Sequence, residues 1–358
     1  MTAAPPGPVV AVISRHAGSA VGVDPAVAEG LRQRGLTAHL LPDGAPEAMQ
    51  ADVILLLGGP SSLRRSIRRI ERAGHVTPPV VAWLFEPLPP PDLPVGVVRA
   101  ATRFSAIRTG RRWMRPLMQA LARPGDWLLA RRVGRGISAS NLRFAIDTAS
   151  IVFRGTERGW LTVILVSTEQ KRRQLADWGL AAEFLPVGQQ PRFGRDLGLA
   201  RDIDVLFIGS LKSRRRRAAL DELVQALRAR GLAVHVPEAA IWGEARSHLV
   251  NRARIVLHLH QFDWDTPWMR WYLAEANGAV VASEPLSVPA PLRPGIDYLE
   301  APLHDLAARI AELAGDEPRR LAMLHACRAQ IGKTLTQDRA LDRLACLLRD
   351  LAGGREAR

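Results

Sequence analysis

The sequence predicts an α/β protein made of two Rossmann-like domains, and three observations support this prediction. The chain has 358 residues, which is more than one hydrophobic core usually serves. Short apolar runs alternate with helix-like stretches, as in parallel sheets that are covered on both faces. The alternation stops at a polar, turn-rich segment and then begins again, which places a domain boundary near residue 195.

The N-terminal domain, residues 1–195, is predicted from apolar runs that are short enough to be buried strands. Between the first two runs, Asp24 followed by Pro25 marks a helix start, since proline is favoured at the first helical position after a capping residue. Gly35 marks the end of that helix. The predicted strands are 9–13, 37–41, 53–57, 80–85 and 161–166, and a further helix is expected at 168–178.

The C-terminal domain, residues 196–335, repeats the alternation of strands and helices. Residues 336–358 are expected to form a closing helix and tail, because leucines recur there at helical spacing with Arg and Asp between them. These are Leu341, Leu344, Leu348 and Leu351. The strands predicted in this domain are 205–208, 232–236, 255–259 and 279–282.

Composition limits the classes of function and the compartment. The net charge of +14 suits anionic partners such as nucleotides, nucleic acid or lipid head groups. Nucleic-acid binding is not favoured, because the sequence has no aromatic-studded sheet motif, zinc-ligand spacing or helix-turn-helix signal. Neither a signal peptide nor an apolar run long enough for a membrane span is found. Cys327 and Cys346 lack metal-ligand spacing and read as reduced thiols, so a cytoplasmic location is expected.

The segment VLFIGSLKSRRRR, residues 205–217, is the first candidate binding site. A buried strand ends in Gly209 and Ser210, whose small side chains let backbone amides approach a ligand. Lys212 with Arg214 to Arg217 then supply cations near the start of the next helix. A helix N-terminus and guanidinium groups both favour a diphosphate. The alternative is a solvated basic turn without a ligand.

A second candidate segment runs from residue 253 to residue 285. Its first strand carries His258 and His260. Because successive side chains of a strand point to opposite faces, these two lie on the same face. A helix that starts near 267 carries Arg270, and the following strand delivers Glu284 to its carboxyl end. Ligands of open parallel sheets bind at those carboxyl ends, so His260, Arg270 and Glu284 are predicted to share one crevice. The alternative for each histidine is a satisfied polar group in the core.

Together the two segments resemble the C-terminal domain of bacterial GT-B glycosyltransferases, including spore-maturation-type and polysaccharide-assembly members. IVLHLH, residues 255–260, precedes an acidic turn, an Arg-bearing helix and a strand that closes in Ser-Glu. VLFIGS, residues 205–210, is similar to the opening strand and donor-phosphate loop of that domain. FLPVG, residues 184–188, is similar to the segment entering the linker. The resemblance covers about residues 165–350.

The resemblance implies a GT-B fold, in which two Rossmann-like domains face a central cleft. It implies that the C-terminal domain holds a nucleoside-diphosphate sugar and the N-terminal domain a glycan, lipid-linked or small-molecule acceptor. No essential metal and no cofactor is expected, since the activated sugar is a substrate. The expected donor-binding residues are Gly209, Ser210, Lys212, Arg214, His260, Arg270 and Glu284.

The implied activity is hexosyl transfer to an acceptor hydroxyl in cell-envelope, polysaccharide or glycoconjugate synthesis. One departure from the family keeps an alternative open. Many retaining members have two glutamates eight residues apart, whereas this chain, counted back from Gly278, has Asp265 and Leu273 there, with Glu275 displaced. The alternative is a non-catalytic GT-B-like scaffold or a membrane-surface partner protein.

Two Asp-x-Asp strings offer a metal-dependent alternative, because such pairs can hold a divalent cation on a diphosphate. Asp202 and Asp204 precede a predicted strand, and we interpret them as polar residues at its start. Asp263 and Asp265 follow a strand, on the side where a metal site would lie. Two Rossmann-like halves favour the metal-independent interpretation.

Two residues of the N-terminal domain are candidate catalytic groups by position. His16 lies in the Gly-rich loop after the first strand, and an imidazole that titrates near neutral pH can deprotonate an acceptor hydroxyl. Glu86 follows the strand at 80–85. Further on, Arg108 to Arg123 form a basic amphipathic stretch that would suit peripheral contact with the inner face of the membrane. Packing on the protein's own core is the alternative for this stretch.

Overall fold

The computed structural model describes residues 7–14, 17, 23–59, 63–74, 78–103, 124–125, 127–131, 137–211, 213–266 and 268–356. The chain divides into two compact units. We call Met1–Val187 with Asp338–Arg358 the N-terminal unit, and Gly188–Gln337 the C-terminal unit. The C-terminal unit begins at Gly188, shortly before the domain boundary expected near residue 195. His16, Lys212 and the stretch Arg108 to Arg123 lie outside the described residues.

The N-terminal unit contains a six-stranded parallel sheet in the order β2-β1-β3-β4-β5-β6. Its central strands are runs of Val, Ile and Leu, as expected for strands that are buried on both faces. The strands are β1 Val9–Ser14, β2 Thr37–Leu41, β3 Val53–Leu57, β4 Val80–Leu84, β5 Val163–Val166 and β6 Glu183–Phe184.

Helices cover both faces of this sheet, as the sequence predicted. Gly35, in the left-handed region with φ +80, follows the first helix and is the glycine that the sequence marks as its end. The helices are α1 Val23–Gln33, α2 Arg64–Ala73, α3 Val95–Thr102, α4 Ala139–Glu157 and α5 Glu169–Asp177, with a short 3-10 helix at Pro46–Gln50.

Alternate residues of the strands pack into two hydrophobic cores, one on each face of the sheet. Ile54 and Leu56 of β3 point into a core that α4 covers with Ile146 and Phe153. Val53, Leu55 and Leu57 point to the opposite face, as period two requires. There they join residues of the last helix of the chain, α11 Gln337–Glu356, whose core contacts are Leu341, Leu344 and Leu348. The predicted C-terminal helix therefore completes the core of the N-terminal unit.

The C-terminal unit contains a five-stranded parallel sheet in the order β11-β10-β9-β7-β8. Its strands are β7 Ile203–Leu206, β8 Val234–His235, β9 Ala253–His258, β10 Val280–Ser283 and β11 Leu299–Glu300. Its helices are α6 Arg214–Arg228, α7 Gly243–Asn251, α8 Met269–Ala276, α9 Leu303–Gly315 and α10 Glu317–Thr334, with a 3-10 helix at Pro191–Phe193. Asn277 and Gly278, at φ +74, end α8 at the predicted position.

Candidate functional site

The carboxyl ends of three neighbouring strands form one edge of the C-terminal sheet. β10, β9 and β7 are adjacent and parallel, so the segments that follow them emerge on the same side. Gly209 and Ser210 follow β7, His260 follows β9, and Glu284 follows β10 directly. The structure therefore brings His260 and Glu284 to one edge, as the sequence predicted, and places Gly209 and Ser210 at the same edge.

Gly209 lies against the guanidinium group of Arg270. A Cβ atom added at Gly209 would stand 2.6 Å from the Nη2 atom of Arg270 and 3.2 Å from the Cζ atom of Phe207. The guanidinium carbon of Arg270 lies 5.7 Å from the centre of the Phe207 ring, a geometry in which a cation is attracted to the aromatic face. A side chain at this position would displace the end of Arg270.

Arg270 belongs to a group of cations that are not paired with carboxylates. In the described part of the chain, the Nε atoms of Arg216, Arg246 and Arg270 are buried without a hydrogen-bond partner, and none of the three arginines takes part in an ion pair. The Nη1 atom of Arg216 donates a hydrogen bond of 3.1 Å to the Ser210 carbonyl. We call these three residues the arginine cluster.

Burial and neighbouring positive charges disfavour the charged forms of Arg216 and Arg270. Burial, together with the charges of Arg216 and Arg246, lowers the pKa of Arg270 to about 9. Burial also lowers the pKa of Arg216 to about 10, against the opposing effect of Glu284. Both side chains are cationic at neutral pH. Because like charges in a low dielectric repel each other, this group of cations attracts an anion.

Glu284 forms the opposite side of the edge and is engaged by Arg215. Its carboxylate accepts two hydrogen bonds from Arg215, one of them 3.2 Å long, and a third from the His260 backbone N–H at 2.9 Å. Burial works to raise the pKa of Glu284, but the bonds from Arg215 and His260 outweigh it and hold the pKa below its usual value. The carboxylate is therefore ionised at neutral pH.

The two histidines of the segment lie on one face, as predicted, with ring centres 5.3 Å apart in an edge-to-face arrangement. Burial lowers the pKa of His258, and the charges of Arg270 and His260 add to this effect. Burial also lowers the pKa of His260, whose Nε2 atom lies 2.9 Å from the Pro285 carbonyl. Both rings are neutral at pH 7, so the cations that the structure describes at this edge are arginines.

A second polar edge lies in the N-terminal unit, where β1, β3 and β4 end side by side. Glu86 follows β4, and its carboxyl group lies against the backbone of Gly58 and Gly59, which follow β3. At the end of β1, the Ser14 hydroxyl donates to the Asp24 carboxylate. Burial raises the pKa of Glu86, against hydrogen bonds from its own backbone and that of Gly59 and against the charge of Lys171, while Asp24 adds to the rise.

Comparison with solved structures identifies the fold. TarM superposes with a TM-score of 0.56 at 9% identity, over 83% of this chain and 54% of TarM. HepE from Anabaena, in complex with UDP and glucose, gives a TM-score of 0.56 at 12% identity, over 96% of this chain and 100% of HepE. The chain has the GT-B fold.

A third structure, the pneumococcal O-GlcNAc transferase GtfA in complex with UDP and GlcNAc, gives a TM-score of 0.54 at 10% identity. It matches over 83% of this chain and 57% of GtfA, so the chain spans little more than half the length of TarM and GtfA. No protein-family model and no curated protein sequence matches the chain. At these identities the similarity establishes the GT-B fold alone.

The first turn of α6 shows what the sequence pattern left undetermined. Arg214, the predicted residue, is exposed. Arg215 reaches Glu284, and Arg216 is buried in the arginine cluster. Successive residues of a helix point about 100° apart, so a run of four arginines does not reveal which of them face the sheet edge. Arg246, on α7, carries no sequence signal and was missed.

The acidic residues noted in the sequence have structural partners. Glu275 accepts a hydrogen bond of 2.9 Å from the Nε atom of Arg328 on α10. Asp202 and Asp204 form ion pairs with Arg252 and Arg254 respectively. No group of three or more His, Cys, Asp or Glu side chains able to hold a metal ion occurs among the residues that the structure describes. Within the same residues, none of the helices combines the length and the apolar character needed to cross a bilayer.

Proposed function

We propose that the chain is a glycosyltransferase that moves a sugar from a nucleoside-diphosphate donor to an acceptor hydroxyl. The donor diphosphate would bind at the arginine cluster of the C-terminal unit. The predicted donor residues are retained in this proposal: Gly209, Ser210, Lys212, Arg214, His260, Arg270 and Glu284. Arg215, Arg216 and Arg246 are added to them.

One observation carries the proposal: the arginine cluster lies beside Gly209 and Ser210 at the carboxyl edge of a parallel sheet, with buried guanidinium nitrogens that have no partner in the described chain. Ligands of open parallel sheets bind at this edge. Guanidinium groups match phosphate oxygens in geometry and charge. The solved structures of HepE and GtfA, which share the fold, contain UDP, and this supports a nucleoside diphosphate as the anion.

The same groups would stabilise the diphosphate as it leaves. Negative charge accumulates on the leaving group in the transition state, and fixed cations in a water-poor site stabilise it without a metal. Neutral His260 and ionised Glu284 are available to the hydroxyl groups of the ribose or the transferred sugar. Glu86, whose pKa is raised by burial, is the candidate base for the acceptor hydroxyl, with His16 as the second candidate.

We further propose that the acceptor is a cell-envelope, polysaccharide or glycoconjugate precursor. The basic amphipathic stretch Arg108 to Arg123 supports an acceptor at the inner face of the membrane, because such segments bind anionic lipid. Flotation with vesicles containing anionic lipid, compared with neutral vesicles, tests this part separately.

Calorimetric titration with UDP, GDP and pyrophosphate tests donor binding, and hydrolysis or transfer of UDP- and GDP-sugars tests activity. Binding and turnover are expected in the wild type, with weaker binding and loss of turnover in Arg270→Ala. Arg309→Ala, which removes an exposed arginine of α9, is the control and should behave as the wild type. Binding of UDP without turnover of any activated sugar would instead support the non-catalytic scaffold. If the wild type binds none of the three anions, the proposal is wrong.

A further inference from the structure

Helix α5 places two buried side chains on the segment that carries Glu86. Lys171 is 1% exposed, and its Nζ atom donates to the Phe85 carbonyl at 3.0 Å and to the Ser167 hydroxyl at 3.0 Å. One turn later, the Nε2 atom of Gln174 donates to the Pro89 carbonyl at 2.6 Å. The two donors hold the backbone on both sides of Glu86.

The two donors differ in charge, and this difference requires an explanation. Gln174 shows that a neutral amide is sufficient to hold a carbonyl of this segment. Lys171 is an ammonium group, and burying it costs several kcal/mol more than burying a neutral donor. Unlike the Gln174 amide, its charge acts on ionisable groups nearby.

Glu86 is the ionisable group on which the Lys171 charge acts. Burial and the Asp24 carboxylate both favour the neutral form of Glu86, whereas the Lys171 ammonium favours the ionised form. The Gly59 backbone N–H acts in the same direction as Lys171. Among the described charged groups that act on Glu86, Asp24 on α1 raises its pKa and Lys171 on α5 lowers it.

We infer that Lys171 is a positioning residue for Glu86: it fixes the segment that carries Glu86 through the Phe85 carbonyl, and it supplies the positive charge that favours the ionised Glu86 carboxylate. The inference rests on the proposed function, in which Glu86 accepts a proton from the acceptor hydroxyl. A base must be ionised before it can accept that proton, so Lys171 sets the lower pH limit of activity.

The test is a carboxyl-carbon NMR titration of the full chain labelled at glutamate, with the Glu86 signal assigned by its loss in Glu86→Gln. Lys171→Met should move the Glu86 midpoint upward by about one pH unit or more, since a nearby cation has been removed. Lys171→Arg should restore the wild-type midpoint. Gln174→Met, which removes the matched neutral donor one turn away, should leave the midpoint unchanged.

An unchanged midpoint in Lys171→Met, or an equal shift in Gln174→Met, overturns the inference. Lys171→Gln keeps a neutral donor for the Phe85 carbonyl, and it serves as the charge-removing variant if Lys171→Met does not fold. Lys171→Gln should also move the Glu86 midpoint upward, and an unchanged midpoint would again overturn the inference.

Failure of the proposed function can be told apart from failure of the inference, because the NMR titration needs no substrate. If the wild type turns over no activated sugar but the Glu86 midpoint moves in Lys171→Met, the proposed function fails and the link between the two residues stands. If turnover occurs, its lower pH limit should rise by the same amount as the midpoint, while UDP affinity stays as in the wild type. A pH profile of turnover that does not move in Lys171→Met refutes the role of Lys171.

Discussion

Gly209→Ala is the sharpest test of the donor site, because its effect is set by one contact. The new Cβ atom would stand 2.6 Å from the Nη2 atom of Arg270, closer than carbon and nitrogen atoms approach without a bond. Gly209 is not among the glycines with positive φ, so its backbone accepts alanine. The end of the Arg270 side chain must therefore move away from the Phe207 ring.

The expected loss follows from the interaction that Arg270 would make with a phosphate. A hydrogen bond to a charged group contributes about 1.5–3 kcal/mol, which corresponds to roughly a 10- to 150-fold weaker affinity for UDP. The flexible end of an arginine moves at small cost, so the free energy of unfolding should change by less than about 1 kcal/mol. Affinity should fall without loss of the fold.

Calorimetric titration of UDP into Gly209→Ala, Arg270→Ala and the double variant measures this loss. The two losses should not add, since both substitutions remove the same interaction. Gly332→Ala is the control, because a Cβ atom at Gly332 meets nothing within 4 Å, and it should bind UDP as the wild type does. Wild-type affinity in Gly209→Ala, or losses that add in the double variant, would refute the placement of the diphosphate beside Gly209.

Three further predictions concern other parts of the chain. Glu86→Gln should be more stable than the wild type at pH 7, because the folded state disfavours the ionised carboxylate. This gain in stability should vanish as pH falls below about 4.3, where the carboxyl group of the unfolded chain is also neutral. Urea denaturation at several pH values measures the gain. Glu275→Gln should cost about 1–3 kcal/mol of stability through the weakened bond from Arg328 and leave UDP affinity unchanged; a loss of UDP binding would contradict a structural role. Leu344→Ala should cost about 2–5 kcal/mol in thermal or urea denaturation, because this leucine of α11 is fully buried.

The alternation of apolar runs was enough to predict the two sheets, except for the two-residue edge strands β6 and β11. Strands β2 and β3 match the predicted ranges, and β1, β4 and β5 differ from them by one or two residues at an end. Strand β8 is shorter than its predicted run, and β7 begins earlier than predicted. The ends of a strand are set by its hydrogen bonds to the neighbouring strand, which hydrophobicity alone does not reveal. The place of α11 in the core of the N-terminal unit required long-range packing that no local pattern encodes.

The candidate site was predictable where the topology decides position. Gly209, His260 and Glu284 follow three strands that proved to be neighbours, so their convergence followed from the rule for parallel sheets. The choice among Arg214, Arg215 and Arg216 depends on the rotation of α6, which charge alone does not reveal. The raised pKa of Glu86 depends on burial and on Lys171 and Asp24, which lie far from it in sequence.

The two units differ in the chemistry of their sheet edges, and the difference matches the two requirements of sugar transfer from a diphosphate. The leaving group requires fixed positive charge, and the C-terminal edge supplies arginines with lowered pKa values beside neutral histidines. The attacking hydroxyl requires a proton acceptor, and the N-terminal edge supplies a carboxyl group with a raised pKa. In the proposed function each requirement is met on a different sheet, so substitutions in the arginine cluster should change donor affinity without moving the pH profile, and substitutions around Glu86 should do the reverse.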